Sequence, residues 1–148
     1  FIANNGSELV DTALNRTDIP RQSVRFVSVD REDVPIFLSL ATLSVIFIRS
    51  SISKAGCYPT KLAELFAMNI PVIANSGVGD MDSIISLNTN GSFLVSDFQE
   101  ATLRCAIELI RANTMKSQDS IRANSMHLTL SCGVAKYKTV YDSILTGA

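Results

Sequence analysis

The sequence predicts an α/β fold with a doubly wound, mostly parallel sheet of about five to six strands and a C-terminal helical tail. Short apolar runs rich in β-branched residues alternate with segments of helical periodicity as far as residue 95. The run at residues 43–48 is almost continuously apolar, which is typical of parallel strands buried on both faces. Three helical segments follow residue 97 with no strand between them. Alternating βα units connect by right-handed crossovers, so this order favours a doubly wound sheet.

The first two βα units are predicted within residues 1–41. Residues 1–3 are apolar and are expected to end a strand, and the NNG triplet that follows indicates a turn. Ser7 is the expected N-cap of a helix whose apolar positions recur at helical spacing up to Leu14. Residues 24–29 predict a second strand, residues 30–32 a polar turn and residues 34–41 a short helix.

The next units carry the most distinctive segment of the chain. A strand at residues 43–48 leads into a loop at 49–58 that contains three serines and a glycine. A helix is predicted at residues 60–68, because Pro59 suits a helix start and the helical pattern stops at Asn69. A strand at 72–74, a glycine loop at 75–79, a helix at 80–87 with Asp80 as its candidate cap, and a strand at 91–95 complete the sheet. The tail is predicted as helices 100–112, 119–130 and 133–145.

Length and composition predict one domain spanning residues 1–148. The apolar content of 47% indicates a filled core, and the net charge of −1 gives no electrostatic case for binding nucleic acid or an anionic membrane. The three cysteines match no metal-binding spacing and indicate free thiols in a reducing compartment, so we expect a cytoplasmic protein. No apolar stretch is long enough for a transmembrane helix. The chain begins without Met, and we expect it to be a fragment of a longer protein.

Lys61 and Glu64 are the leading candidates for a binding site. They lie three residues apart near the start of the predicted helix, hence on one face of it. A helix N-terminus attracts anions, a Lys can contact phosphate, and a carboxylate can accept hydrogen bonds from sugar hydroxyls. This combination indicates a nucleotide-sugar site. The alternative is an ordinary surface pair, worth only about 0.2–0.5 kcal/mol.

The segment PTKLAELFAMNIPVIA at residues 59–74 resembles the C-terminal, donor-binding domain of GT-B glycosyltransferases of the family-4 type. Members of that family carry a Pro-x-Lys-x-x-Glu helix followed by a Pro-Val-Ile strand. The resemblance extends to the strand and helix at residues 24–41, the GVGD loop at 77–80, the GSFLV strand at 91–95 and the CGVAKY helix start at 132–137. It implies a Rossmann-like domain that forms one half of a GT-B fold, with the N-terminal, acceptor-binding domain missing here.

The resemblance implies a retaining transfer of a sugar from a UDP- or GDP-linked donor, and the catalytic candidates are Lys61 and Glu64. Lys61 would contact the diphosphate and Glu64 the ribose hydroxyls. Many members carry a first glutamate eight positions before the second, and that position is Gly56 here. Backbone amides of the loop around Gly56 are the expected substitute.

The remaining candidates for donor binding surround this pair. Lys54 and the loop that follows it are expected to contact phosphate or sugar, with Arg49 as a further basic candidate, and Tyr58 is expected either to stack on a ligand or to cover the core. Val29 and Asp30 lie at the end of a predicted strand, where α/β ligands bind, and would contact the base. The full set of donor-binding candidates is Lys54, Gly56, Tyr58, Thr60, Val29, Asp30, Gly77 and Gly79. The two glycines allow close backbone approach at the next strand end.

The resemblance implies no cofactor and no metal. The expected partners are the nucleotide-sugar donor and the missing N-terminal domain, and any membrane association would come through that missing half. The isolated domain is expected to bind a donor without transferring its sugar.

Two other functions stay open. A nucleotide-sugar 2-epimerase-like isomerase would need further His and acidic residues, whereas His127 in the helical tail is the single His. A non-catalytic α/β module of the receiver type would need clustered acidic residues after the first strand, where the sequence has NNG.

Overall fold

A computed structural model of the chain describes residues 6–56, 60–87, 91–114 and 119–146. The chain forms two compact units, Phe1–Leu40 and Ala41–Ala148. The fold is α/β with a parallel sheet, as predicted, but the described residues form three strands where five to six were expected. The predicted strand at residues 1–3 lies outside the described residues.

The first unit contains two helices, α1 (Ser7–Leu14) and α2 (Val34–Leu38). The prediction that Ser7 caps α1 is wrong, because Gly6 holds the cap position with φ 100° and Ser7 is the first helical residue. The left-handed backbone there suits glycine. The Gly6 carbonyl accepts hydrogen bonds from the N–H groups of Leu9 and Val10, and these bonds start the helix. Helix α2 ends three residues earlier than predicted.

The strand predicted at residues 24–29 is not formed. Only Val27 makes an isolated bridge, and a short 3-10 turn at Arg21–Ser23 precedes the run. β-branched residues favour a strand only where a pleated surface is packed against neighbours, and none of residues 24–29 is fully buried. The polar turn after the run is present, with the Asp33 N–H donating to the Asp30 carbonyl at 3.0 Å.

The second unit is built on strands β1 (Ser44–Ile46), β2 (Val72–Asn75) and β3 (Phe93–Val95). They pair in parallel in the order β1-β2-β3. One row of the register joins Val45, Ile73 and Phe93. The three strands predicted for this part of the chain are thus confirmed. β1 and β3 are shorter than predicted, and β2 is one residue longer, because it includes Asn75.

Three helices follow the strands in turn: α3 (Thr60–Ala67), α4 (Met81–Leu87) and α5 (Glu100–Thr114). Helix α3 buries Leu62, Leu65 and Phe66, whose spacing places them on one face. The helix ends at Ala67, one residue before its predicted end. Asn69 has φ 61°, its N–H donates to the Phe66 carbonyl at 2.9 Å, and the Ile70 N–H donates to the Leu65 carbonyl at 2.9 Å. This is a Schellman motif that turns the chain into β2.

The core lies on both faces of β2. On one face, Ile73 and Val95 pack with Ala106 and Ile110 of α5. The alternate residues Val72 and Ala74 point to the opposite face and are fully buried. Parallel strands covered on both faces are expected to be apolar throughout, and β2 is buried at all four of its positions.

The helical tail comprises α6 (Asp119–Asn124), a 3-10 turn at Met126–Leu128 and α7 (Leu130–Thr146). The helix predicted at 119–130 is therefore split, and the last helix starts three residues earlier than expected. Ile121 of α6 is buried, and its side chain is the nearest neighbour of Gly91. Within the described ranges, no helix has both the length and the apolar character needed to cross a membrane.

Candidate functional site

The loops after β1, β2 and β3 lie at one edge of the sheet, because the carboxyl ends of parallel strands share an edge. Ligands of open α/β sheets bind outside this edge. Helix α3 connects β1 to β2 and starts at the same edge, so its N-terminus lies beside these loops. The candidate site is therefore the carboxyl edge of the second unit.

Lys61 and Glu64 lie on the solvent side of α3. Both side chains are exposed, whereas Leu62, Leu65 and Phe66 of the same helix are buried. Neither forms an ion pair or a hydrogen bond with another residue of the described part of the chain. The pair is thus close to the helix start, accessible, and unused by the fold.

The loop before α3 supplies the next candidates. Lys54 ends a short 3-10 turn at Ile52–Lys54 and is exposed, and Thr60 is the exposed first residue of α3. Gly56 is exposed, and a Cβ placed on it would meet no atom within 4 Å. A glycine is therefore not required there by packing. Tyr58 lies outside the described residues, so its predicted role stays a prediction.

Asn75 joins the loops after β1 and β2, and the sequence reasoning missed this role. The side chain is buried, and its Oδ1 accepts a hydrogen bond from the Ile48 N–H at 2.8 Å. Its Nδ2 donates to the Ile48 carbonyl at 2.9 Å and to the Ser76 carbonyl at 3.1 Å. The Ser76 N–H in turn donates to the Val95 carbonyl at 3.1 Å, which brings in the end of β3. An Asn at the end of an apolar strand was the available signal, because buried polar groups need partners.

The glycine loop after β2 is a tight turn with its own internal bonds. Gly77 and Gly79 have φ 80° and 49°, a left-handed backbone that favours glycine. The Gly77 N–H donates to Oδ2 of Asp82 at 3.0 Å. The other oxygen of Asp82, Oδ1, is buried and has no partner among the described residues. A Cβ on Gly77 would lie 3.9 Å from Cβ of Ser50, so this turn touches the loop after β1.

Two further groups at the carboxyl edge were not anticipated. The Phe47 and Phe98 rings, which follow β1 and β3, make an edge-to-face contact with centroids 5.1 Å apart. The exposed Asp97 accepts a hydrogen bond from the Gln99 N–H at 2.9 Å. That bond, with a second from the Thr102 hydroxyl, holds the pKa of Asp97 below its usual value. The carboxylate thus sits ahead of α5 and fixes the turn that leads into it.

Val29 and Asp30 belong to the first unit, where Val29 is half-buried and Asp30 is exposed. Their predicted contact with the base stays a prediction. Among the described residues, no group of three His, Cys, Asp or Glu side chains is arranged to hold a metal ion.

An open pocket of about 420 Å³ lies at the opposite edge of the sheet. It is lined by the end of α3 and by α6, with Met68, Asn69, Arg122 and Met126 among its residues. Oδ1 of Asn69 accepts a hydrogen bond from the Arg122 N–H at 3.2 Å, which ties the two helices together. The pocket is therefore separate from the predicted donor site.

No protein-family model, curated protein or solved structure matches the chain. Its function must consequently be argued from the residues of the site.

Proposed function

We propose that this chain is the donor-binding half of a retaining glycosyltransferase, which holds a UDP- or GDP-linked sugar at the carboxyl edge of its sheet. The observation that carries the proposal is the exposed pair Lys61 and Glu64, at the start of a helix that begins at this edge and free of other partners in the described chain. The resemblance of this segment to the Pro-x-Lys-x-x-Glu helix of GT-B glycosyltransferases supports a nucleotide sugar as the ligand.

Lys61 is the group for the diphosphate. It lies in the first turn of α3, where the unsatisfied N–H groups and the helix dipole also favour an anion. As the sugar leaves, negative charge accumulates on the diphosphate, and a fixed ammonium stabilises that charge in the transition state. The sugar would pass through an oxocarbenium-like state, as in other glycosyl chemistry.

Glu64 is the group for the ribose. One helical turn separates it from Lys61 on the same face, and this spacing lets one ligand reach both side chains. A carboxylate only accepts hydrogen bonds, and two vicinal hydroxyls can each donate one. Lys54 and the N–H groups of the loop up to Gly56 would complete the phosphate and sugar contacts.

The proposal is tested by calorimetric titration of the 148-residue chain with UDP, GDP and uridine. We expect Lys61→Ala to weaken UDP binding at least about tenfold while changing uridine binding little, because the ammonium contacts only the diphosphate. Glu64→Ala should weaken the binding of both UDP and uridine, because both contain the ribose. Lys136→Ala removes another exposed lysine, in α7, and serves as the matched control.

Absence of UDP and GDP binding at millimolar concentration would overturn the proposal. Equal effects of Lys61→Ala and Lys136→Ala would also overturn the assignment of Lys61. Gly56→Glu provides a further check, since the open space at this position accepts a side chain. If Gly56 occupies the position of the family's first glutamate, the introduced carboxylate should contact the donor sugar. The variant's affinity for the sugar nucleotide, divided by its affinity for UDP, should then be higher than the same ratio for the wild type.

A further inference from the structure

The side chain of Asn75 holds the backbone next to Arg49. Arg49 directly follows Ile48, and the Asn75 amide bonds both backbone polar groups of Ile48, at 2.8 and 2.9 Å. On the other side of Arg49, Ser50 lies against the glycine loop, since a Cβ on Gly77 would be 3.9 Å from Cβ of Ser50. Arg49 therefore lies between two residues that both contact the segment at the end of β2.

The Asn75 amide has a single orientation in the fold. The side chain is 7% exposed and lies at the end of the fully buried strand β2. Its oxygen accepts from the Ile48 N–H, and its two N–H groups donate to the carbonyls of Ile48 and Ser76, so both donors are used. A buried side chain fixed by three bonds is a rigid support for a neighbouring functional group.

Arg49 is a cation with no counter-ion in the described part of the chain. Its side chain is exposed and forms no ion pair or hydrogen bond with the residues that the structure describes. No Asp or Glu occurs between residues 34 and 63, so no close sequence neighbour neutralises it. The loop that carries Arg49 begins at the carboxyl edge after β1 and leads to α3, where Lys61 lies in the first turn. A guanidinium with unused donors matches phosphate oxygens bidentately.

We propose that Arg49 is a second cation of the diphosphate site and that Asn75 is the residue that positions it. The inference rests on the proposed function, because that function supplies the diphosphate. Lys61 is held by α3, which the buried side chains of that helix fix in place, whereas Arg49 lies on a loop that Asn75 holds. A loop ordered before the ligand arrives loses less conformational entropy on binding, so Asn75 raises the affinity for a diphosphate without contacting it.

Calorimetric titration of the 148-residue chain with UDP and uridine tests both residues. We expect Arg49→Ala to weaken UDP binding about tenfold and to change uridine binding less than about twofold, because uridine has no phosphate. Asn75→Ala should weaken UDP binding at least about threefold and likewise spare uridine. Asn75→Ser keeps one hydrogen-bonding group and should give an intermediate UDP affinity, and it replaces Asn75→Ala if that variant does not fold.

A double-mutant cycle shows whether Asn75 acts through Arg49. In the Arg49→Ala background, Asn75→Ala should change UDP affinity by less than about twofold. In the Lys61→Ala background its effect should be undiminished, because α3 holds Lys61. Ile110→Ala is the control for general destabilisation, since it removes a buried side chain of α5 and should leave the UDP affinity of the folded protein unchanged.

Hydrogen exchange of the Ile48 amide gives a readout that needs no ligand, and it should be faster in Asn75→Ala than in Ile110→Ala. Equal exchange, additive effects of Arg49→Ala and Asn75→Ala, or equal weakening of UDP and uridine by Asn75→Ala would overturn the assignment of Asn75. An unchanged UDP affinity in Arg49→Ala would overturn the assignment of Arg49 and leave the proposed function intact. Absence of UDP and GDP binding by the wild type would instead overturn the proposed function and, with it, the ligand of Arg49.

Discussion

Replacing Asn75 by Ala should destabilise the carboxyl edge of the sheet more than its single polar side chain suggests. Asn75 is 7% exposed and ends β2. Its amide bonds both the N–H and the carbonyl of Ile48, at 2.8 and 2.9 Å, so it continues the pairing of β1 and β2 beyond their last paired residues. The third bond, to the Ser76 carbonyl, holds the start of the glycine loop.

The magnitude follows from the groups left without partners. Each buried donor or acceptor that loses its partner costs about 1–3 kcal/mol. Ile48 is only partly buried, so water can reach its groups in the variant and the lower half of that range applies. Two orphaned backbone groups then predict a loss of about 2–4 kcal/mol in the free energy of unfolding, a large share of the roughly 5–15 kcal/mol of a typical domain.

Urea denaturation followed by circular dichroism measures this loss. Asn124→Ala is the matched control, since this exposed Asn of α6 makes no side-chain hydrogen bond within the described residues; its effect should be within about 0.5 kcal/mol of zero. A loss below about 1 kcal/mol for Asn75→Ala would refute the reasoning, because ordinary hydration would then replace the amide.

Asn75→Asp distinguishes the acceptor role of the amide from its donor role. The introduced carboxyl keeps an acceptor for the Ile48 N–H but turns an oxygen toward the Ile48 and Ser76 carbonyls, so its pKa should rise above the usual value of about 3.9. The protonated form is then favoured by folding. Relative to wild type, this variant should be most stable below about pH 3.9 and lose stability as the pH rises through the folded-state pKa. A stability difference that is flat from about pH 3 to 8 would contradict this account.

Four further substitutions test other parts of the fold by the same denaturation assay. Phe66→Ala empties the largest fully buried position and should cost about 3–5 kcal/mol. Gly91→Ala should cost about 1 kcal/mol or more, because φ is 135° and a Cβ would lie 3.4 Å from a side chain. Gly133→Ala in α7 should instead stabilise the fold by about 0.5–1 kcal/mol, because the added Cβ meets no atom within 4 Å. The reverse order of stabilities would show that backbone conformation does not govern these two sites. Asp97→Ala should lower stability by its full amount above about pH 3.9 and by progressively less as the pH falls below that value. The lowered pKa of Asp97, caused mainly by the Gln99 N–H, means that its contribution is present above the unfolded pKa and is lost as pH falls through the folded value; an equal loss at pH 2 and pH 7 would argue against it.

The segment from α3 to β2 was predictable because local and tertiary preferences agree there. Pro59 and the apolar spacing of Leu62, Leu65 and Phe66 define a helix, and Asn69 tolerates the left-handed backbone that ends it. The run that follows is buried at every position of β2 and apolar at the first three, as expected for a strand covered on both faces. The sequence therefore predicts the position of Lys61 and Glu64 on the solvent side of α3 as well as the helix itself.

The failures occur where tertiary context overrides local preference. Residues 24–29 have the composition of a strand, but a strand also needs a paired and packed surface, and this run is at most half-buried. The helix predicted at residues 119–130 spans a segment with helical periodicity, yet Ser125 and Thr129 hydrogen-bond to nearby carbonyls and favour a turn. Because both residues are polar, the spacing of apolar residues does not reveal this break in the helix.

The bond between Asp82 and Gly77 limits where a diphosphate can lie at the carboxyl edge. A glycine loop after a strand usually offers free N–H groups to phosphate, but the Gly77 N–H is already bonded to a carboxylate. The same carboxylate would repel a phosphate placed against this turn. The start of α3, with Lys61 exposed and free of a counter-ion in the described chain, has neither obstacle. An anionic ligand at this edge should therefore bind on the α3 side of the glycine turn. Asp82→Asn, which removes the charge and keeps an acceptor for Gly77, should strengthen pyrophosphate binding if the anion lies near the turn and leave it unchanged if Lys61 alone defines the site.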